Sequence, residues 1–232
     1  MLLLSLLNIC VWHVASAVAQ SRGGGQRAGN CPQIQIFGAR ETTTPQGFGS
    51  AITLVELVQK RFPGTVAEEI VYPAAGDELY SRSVGQGILA VIKQTAAFSA
   101  RCPQSIIIMH GYSQGAQIMD DAFCGGPDLP QLESATSLVS KATANNTAAI
   151  ILMGNPRFVP GLSFNVGNAT AGGFAARPAD FECPEFDDRI QSYCESPDPF
   201  CSNGDDPDTH QGYGFQFGSD ALDFIVSKLV AN

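Results

Sequence analysis

The residues His110-Gly111-Tyr112-Ser113-Gln114-Gly115 set one serine between two glycines, each two positions away. A serine so placed is a candidate nucleophile for acyl transfer. Small residues on either side let a strand turn sharply into a helix and hold the hydroxyl at the apex. The pattern alone is cheap, because a chain with 24 glycines yields about 0.2 chance matches. The surrounding elements must therefore carry the assignment. Ile106-Ile-Ile-Met109 is too uniformly apolar for a half-exposed strand and predicts a central one covered on both faces. Gln114 to Phe123 predicts the helix that follows. The competing reading is an ordinary turn with Ser113 as helix N-cap.

A serine hydroxyl needs a base within hydrogen-bond reach, and histidine is the usual one. Of three histidines, His13 lies in the apolar N-terminal run and His110 ends the strand before Ser113, where its side chain is committed to the sheet. His210 remains, in the polar loop Asp206-Pro-Asp-Thr-His-Gln-Gly-Tyr-Gly. The base needs a carboxylate to fix its tautomer and stabilise the imidazolium. Glu195, Asp198, Asp205, Asp206 and Asp208 crowd one region. Asp198 follows a predicted short strand, Ile190 to Cys194, and sits in a loop that a Cys194–Cys201 bridge would clamp, so it is the expected third member. The others read as solvated turn.

Several elements must position these groups. Gln33 to Phe37 alternates with period two and predicts a first strand, and Ser50 is the expected cap of a helix with Ile52, Val55, Val58 and Phe62 on one face. Pro63-Gly64 ends that helix, and Thr65 to Tyr72 reads as a strand. Val84, Ile88, Val91, Thr95 and Phe98 mark the stripe of a second helix. After a further polar helical stretch, Ala148 to Met153 predicts another buried strand. Strands alternating with helices imply a mostly parallel sheet with helices on both faces, whose ligands bind at the carboxyl ends of the strands.

The first 19 residues carry no Asp, Glu, Lys or Arg and end in Ala15-Ser-Ala-Val-Ala19, which reads as a secretory signal peptide; Ser5, Asn8 and His13 interrupt the apolar run short of a membrane span. Residues 20–30 read as a loose tail and 31–232 as one domain with a full core. A net charge of −9 argues against nucleic acid as a partner, since phosphates would be repelled. Seven cysteines become six once Cys10 leaves with the leader, which points to three disulfides. The expected pairs are Cys31–Cys102, Cys124–Cys183 and Cys194–Cys201, contributing about 4 kcal/mol for each long closure and about 2.5 for the short one. Zinc is a weak alternative, since the chain has no Cys-x-x-Cys spacing. Asn145-Asn-Thr and Asn168-Ala-Thr are glycosylation sequons.

Cys31-Pro, Phe37-Gly-Ala-Arg-Glu-Thr-Thr43, Gly111-Tyr-Ser-Gln-Gly115, Tyr193-Cys through Asp198-Pro-Phe-Cys201, and His210-Gln-Gly-Tyr213 together resemble the cutinase and acetylxylan esterase family of small secreted fungal hydrolases. The resemblance covers nearly all of the chain after the leader. It implies a three-layer α/β/α hydrolase fold without a lid, a monomer, and Ser113, Asp198 and His210 as triad with no cofactor and no metal. It also implies an oxyanion hole from the backbone N–H groups of Thr42 and Gln114, with the Thr42 hydroxyl adding a bond. The Gly-Ala-Arg-Glu-Thr-Thr and Asp-Pro-Phe-Cys segments are similar to the acetylxylan esterase branch, which implies deacetylation of acetylated xylan. The chain departs from that branch in lacking a cysteine pair between Ala74 and Tyr80 and a second cysteine beside Cys201. The alternatives are a cutinase acting on longer aliphatic polyesters and a non-catalytic secreted binding protein. An apolar rim around Ser113 would favour lipid-like polymer, and a polar open cleft polysaccharide.

Overall fold

The computed structural model describes residues 31–125 and 137–230; the expected leader and tail lie outside them. Six strands form one sheet: β1 (Ile34–Ala39), β2 (Val66–Glu69), β3 (Ile106–Tyr112), β4 (Thr147–Met153), β5 (Asn165–Val166) and β6 (Ile190–Tyr193). Their order is β2-β1-β3-β4-β6-β5, and every adjacent pair runs parallel. The apolar runs fall where their composition places them, with β3 and β4 adjacent at the sheet's centre and all of β4 buried.

Helices cover both faces. On one lie α1 (Ile52–Arg61) and α6 (Tyr213–Val230); on the other lie α2 (Tyr80–Arg101), α3 (Gln114–Cys124) and α4 (Lys141–Asn146). Strand alternation divides the core in two. Ile107, Met109, Ile150 and Leu152 face α2 and α3, while Ile108, Tyr112, Ile151 and Met153 face α1 and α6. This is the period-two rule applied to strands buried on both sides. Val84, Ile88, Val91, Thr95 and Phe98, the stripe read from sequence, are all buried along α2. Among the described residues, no helix is long and apolar enough to cross a membrane.

Three local features depart from expectation. Ser50 does not cap α1. Its N–H and its hydroxyl each lie 2.9 Å from the Glu41 carboxylate, in a 3-10 turn (Gly49–Ala51) that leads into the helix. A charged acceptor outcompetes the helix end. His210 sits not in an open loop but in a short helix, α5 (Pro207–Gln211), with Pro207 at its start. Asp206 caps that helix, accepting from Asp208 N–H at 3.1 Å and the Thr209 hydroxyl at 2.7 Å. The third feature is β5, only two residues long and too short to show a period in sequence.

Disulfides join Cys31 to Cys102, Cys124 to Cys183 and Cys194 to Cys201. The Asn145 and Asn168 side chains are exposed.

Candidate active site

β3 ends at Tyr112 and α3 begins at Gln114, so the chain turns on Ser113 alone, with φ 53° and ψ −119°. A non-glycine residue held there stores about 1–3 kcal/mol of strain. Two bonds hold it: Ser113 N–H donates to Met153 O on β4 at 2.8 Å, and Ser113 O accepts from Gln117 N–H at 3.0 Å. A Cβ on Gly111 would stand 2.3 Å from Gly115 O, and one on Gly115 2.2 Å from Ala39 O. Both clashes are with backbone, so the glycine spacing has a geometric cause. The Ser113 side chain makes no capping bond to α3, which removes the N-cap reading.

Asp198 and His210 meet at 2.7 Å between Oδ2 and Nδ1, with exposures of 0% and 3%. Three more donors reach the carboxylate. Oδ1 accepts from the N–H groups of Phe200 at 2.6 Å and Cys201 at 3.1 Å, and Oδ2 accepts from the Tyr213 hydroxyl at 2.8 Å. Burial opposes the charge on Asp198, but the bonds from His210, Phe200 and Tyr213 outweigh it and hold its pKa below the ordinary carboxylate value. The Cys194–Cys201 disulfide closes the loop that supplies two of these donors.

The His210 ring lies over Gly154, where a Cβ would come within 2.7 Å of its Cε1; Gly154 has φ 61° and directly follows Met153, the residue bonded to Ser113. From the other side, the Tyr112 hydroxyl donates to His210 O at 2.7 Å. The residue before the nucleophile candidate thus fixes the backbone of the base candidate. The Phe200 ring packs 4.5 Å from the imidazole. With Nδ1 committed to Asp198, Nε2 is the ring nitrogen left for proton transfer.

Thr42 and Gln114 are also brought together. The Gln114 amide nitrogen lies 3.3 Å from Thr42 Oγ1 and 2.9 Å from Ala75 O, and Gln114 Oε1 accepts from the Ser83 hydroxyl at 2.8 Å. One buried side chain thereby ties the loop after β1 to the loop before α2. That loop is braced again by Arg40, which donates to Thr44 O at 2.8 Å and Tyr72 O at 2.6 Å, while the Tyr72 hydroxyl returns a 2.6 Å bond to Arg40 O. Gln114 opens α3, and the first N–H groups of a helix have no partner within it, so its backbone amide is a suitable oxyanion donor.

The remaining carboxylates do not join this group. Asp205 and Asp208 are exposed, Asp206 caps α5, and Glu195 Oε1 accepts from the Gln216 amide at 3.2 Å. His110 is fully buried, with Nδ1 3.2 Å from Ile151 O on the neighbouring strand. Among the described residues, no three His, Cys, Asp or Glu side chains cluster as a metal site requires. Sequence reasoning missed the structural parts of Tyr112, Tyr213 and Ser83. A buried tyrosine signals a hydroxyl needing a partner, but not which partner.

A family model described as Cutinase matches residues 30–229. Acetylxylan esterase 2 of Talaromyces purpureogenus is 48% identical over 207 residues, covering 86% of this chain and 88% of that protein. Cutinase 11 of Verticillium dahliae is 47% identical over 222 residues, covering 93% of this chain and 75% of that protein. Among solved structures, the catalytic core domain of acetyl xylan esterase from Trichoderma reesei superposes with a TM-score of 0.82 at 44% identity, covering 85% of this chain and 99% of that one.

Proposed function

Because this chain belongs to the cutinase family of carboxylic ester hydrolases, we propose that it is a secreted serine esterase that removes acetyl groups from acetylated xylan. Ser113 is the nucleophile, His210 the general base and Asp198 the orienting carboxylate. The observation that carries this reading is the buried 2.7 Å contact between Asp198 and His210, with the imidazole laid over Gly154 beside the strained Ser113 turn. Two relatives on which the substrate reading rests are called acetylxylan esterases. Three disulfides fit an oxidising, extracellular compartment, with residues 1–19 as the leader removed on export and residues 31–232 as the catalytic domain. Asn145 and Asn168 are then available to a glycan.

In this mechanism Ser113 Oγ attacks the ester carbonyl carbon as its proton passes to His210 Nε2. Asp198 holds the imidazole in the tautomer that presents Nε2 and stabilises the imidazolium. The oxyanion is held by the N–H groups of Thr42 and Gln114, each such donor supplying about 3 kcal/mol to the transition state. Collapse breaks the bond to the alcohol oxygen, which takes the proton from His210. Water then adds to the acyl-enzyme by the same route, releasing acetate and restoring Ser113.

One observation favours the second reading, a cutinase. Phe174 and Phe200 are both more than a third exposed, the Phe200 ring packs 4.5 Å from His210 and its carbonyl accepts from Phe174 N–H, an apolar rim that also suits an aliphatic chain. Hydrolysis of p-nitrophenyl esters from acetate to palmitate separates the two. A steep fall beyond butyrate is the expected result, and sustained rates on long chains would replace the acetyl esterase reading with the polyester one.

A further inference from the structure

Four charged side chains are buried together on α3 and the long connection between β4 and β6, and no step of the mechanism uses them. Asp120, Asp121, Arg157 and Arg177 are each at most 6% exposed. Arg177 bonds Asp120 at 2.7 Å and Asp121 at 2.9 Å, Arg157 bonds Asp121 at 3.0 Å, and the Asn155 amide donates to Asp120 Oδ2 at 2.6 Å. Buried ion pairs are weak contributors to net stability, and specifying one geometry is the use best attested for them. Here the geometry specified is that of the turn around residues 172–176. Arg157 donates to Ala175 O at 2.9 Å, Gly173 N–H to Phe158 O at 3.1 Å, and Ala175 N–H to Pro156 O at 3.2 Å.

At the tip of this pinned turn stands Phe174, 58% exposed. It is tied to the site from two sides. Its ring meets the Tyr80 ring edge-on at 5.5 Å, and the Tyr80 hydroxyl donates at 2.7 Å to Gln117, one helical turn from Ser113. Its N–H donates at 3.1 Å to the carbonyl of Phe200, whose ring packs on His210. The leaving alcohol must lie against His210 to recover the proton, so the edge flanked by Phe200 and Phe174 is where the polymer emerges.

We infer that Phe174, backed by Tyr80, is a platform on which a pyranose ring of the polymer stacks next to the ester being cleaved. A pyranose presents an apolar C–H face and keeps its hydroxyls at the perimeter, in water, which matches an exposed aromatic face better than a closed apolar pocket. A ring already immobilised by its turn loses little freedom on binding. This inference rests on the acetylxylan reading.

The test compares Phe174→Ala, Phe174→Leu and Phe174→Trp with the parent enzyme, measuring acetate release from acetylated xylan and from ethyl acetate, which carries no sugar. The Ala and Leu variants are expected to lose about fivefold in kcat/KM on xylan relative to ethyl acetate, chiefly through KM, and Trp to retain the parent ratio. An unchanged ratio in Ala and Leu overturns the platform. So does retention by Leu, since that points to plain apolar contact. If the parent enzyme hydrolyses ethyl acetate but releases no acetate from xylan, the substrate reading itself falls and the platform with it. Parent turnover on xylan with an unaffected Ala variant refutes the platform alone. Unchanged melting temperatures confirm that the exposed ring was not needed for folding.

Discussion

The Tyr213 hydroxyl donates to Asp198 at 2.8 Å, on the same Oδ2 that holds His210 Nδ1. Tyr213 is itself fixed, accepting from Glu195 N–H at 2.9 Å, with Cys201 Sγ 3.2 Å away. Its bond stabilises the carboxylate and is one of the contacts that hold the Asp198 pKa below the ordinary value.

Tyr213→Phe removes that donor. The Asp198 pKa, which this bond helps to hold down, should then rise toward the ordinary carboxylate value, so that the stability this group contributes is lost at a higher pH on acidification. Stability should fall by about 1.5–3 kcal/mol, the usual range for a buried bond to a charged group. Urea midpoints measured across acidic pH check this; a loss of stability of the same size at every pH would reduce Tyr213 to packing.

Ser113→Ala should abolish turnover and labelling by a fluorophosphonate, and residual activity in protein free of other esterases would sink the nucleophile assignment. Ser113→Gly should be equally inactive but about 1 kcal/mol more stable than Ser113→Ala in urea, because glycine relieves the strain at φ 53°.

Cys194→Ser with Cys201→Ser opens a closure of 7 residues, at about 2.5 kcal/mol by loop entropy. The loop also delivers the N–H groups of Phe200 and Cys201 to Asp198. Activity, measured well below the melting temperature, should therefore fall about tenfold or more as the carboxylate loses register. Full activity in a folded double variant would show that the rest of the loop suffices.

Burial pushes the His110 imidazole down to about 4, from an ordinary 6.5. The unfolded chain therefore binds this proton first, so stability is lost as pH falls from 6.5 to 4, by up to about 3 kcal/mol. Asp198 has the opposite chemistry. Its depressed pKa contributes stability that is present above the ordinary carboxylate value and lost only as pH falls through its folded value. His110→Leu should flatten the urea-derived stability between pH 6.5 and 4, and also free the fold of a buried Nε2 that lacks a protein partner. An unchanged slope would assign the acid sensitivity elsewhere.

Arg177→Met removes the cation bonded to both Asp120 and Asp121. Leaving buried carboxylates short of charge should destabilise the protein by about 3–5 kcal/mol, read from the urea midpoint. A loss below 1 kcal/mol would mean that water or rearrangement replaces the guanidinium.

The sequence by itself determined what depends on neighbours along the chain. Two glycines about Ser113 announced a turn that only they can make, because the clashes they avoid are with backbone a few residues away or on the adjacent strand. The unbroken apolar runs of β3 and β4 marked the centre of a parallel sheet, since only a doubly covered strand can bury both faces. His210 was reached by elimination, and Asp198 by the short cysteine interval around it. Tertiary structure alone decided the rest. It moved Ser50 from a helix cap to Glu41 and made Asp206 a cap for the helix carrying His210. It also put Tyr213 on Asp198, and joined Asp120 and Asp121 to arginines 36 to 57 residues away. Side-chain hydrogen bonds and ion pairs select partners by distance in space, and no local period encodes that distance. The chain therefore offered its candidate site in short motifs, while the bracing that holds those motifs together took form only when the sheet brought remote loops together at one end.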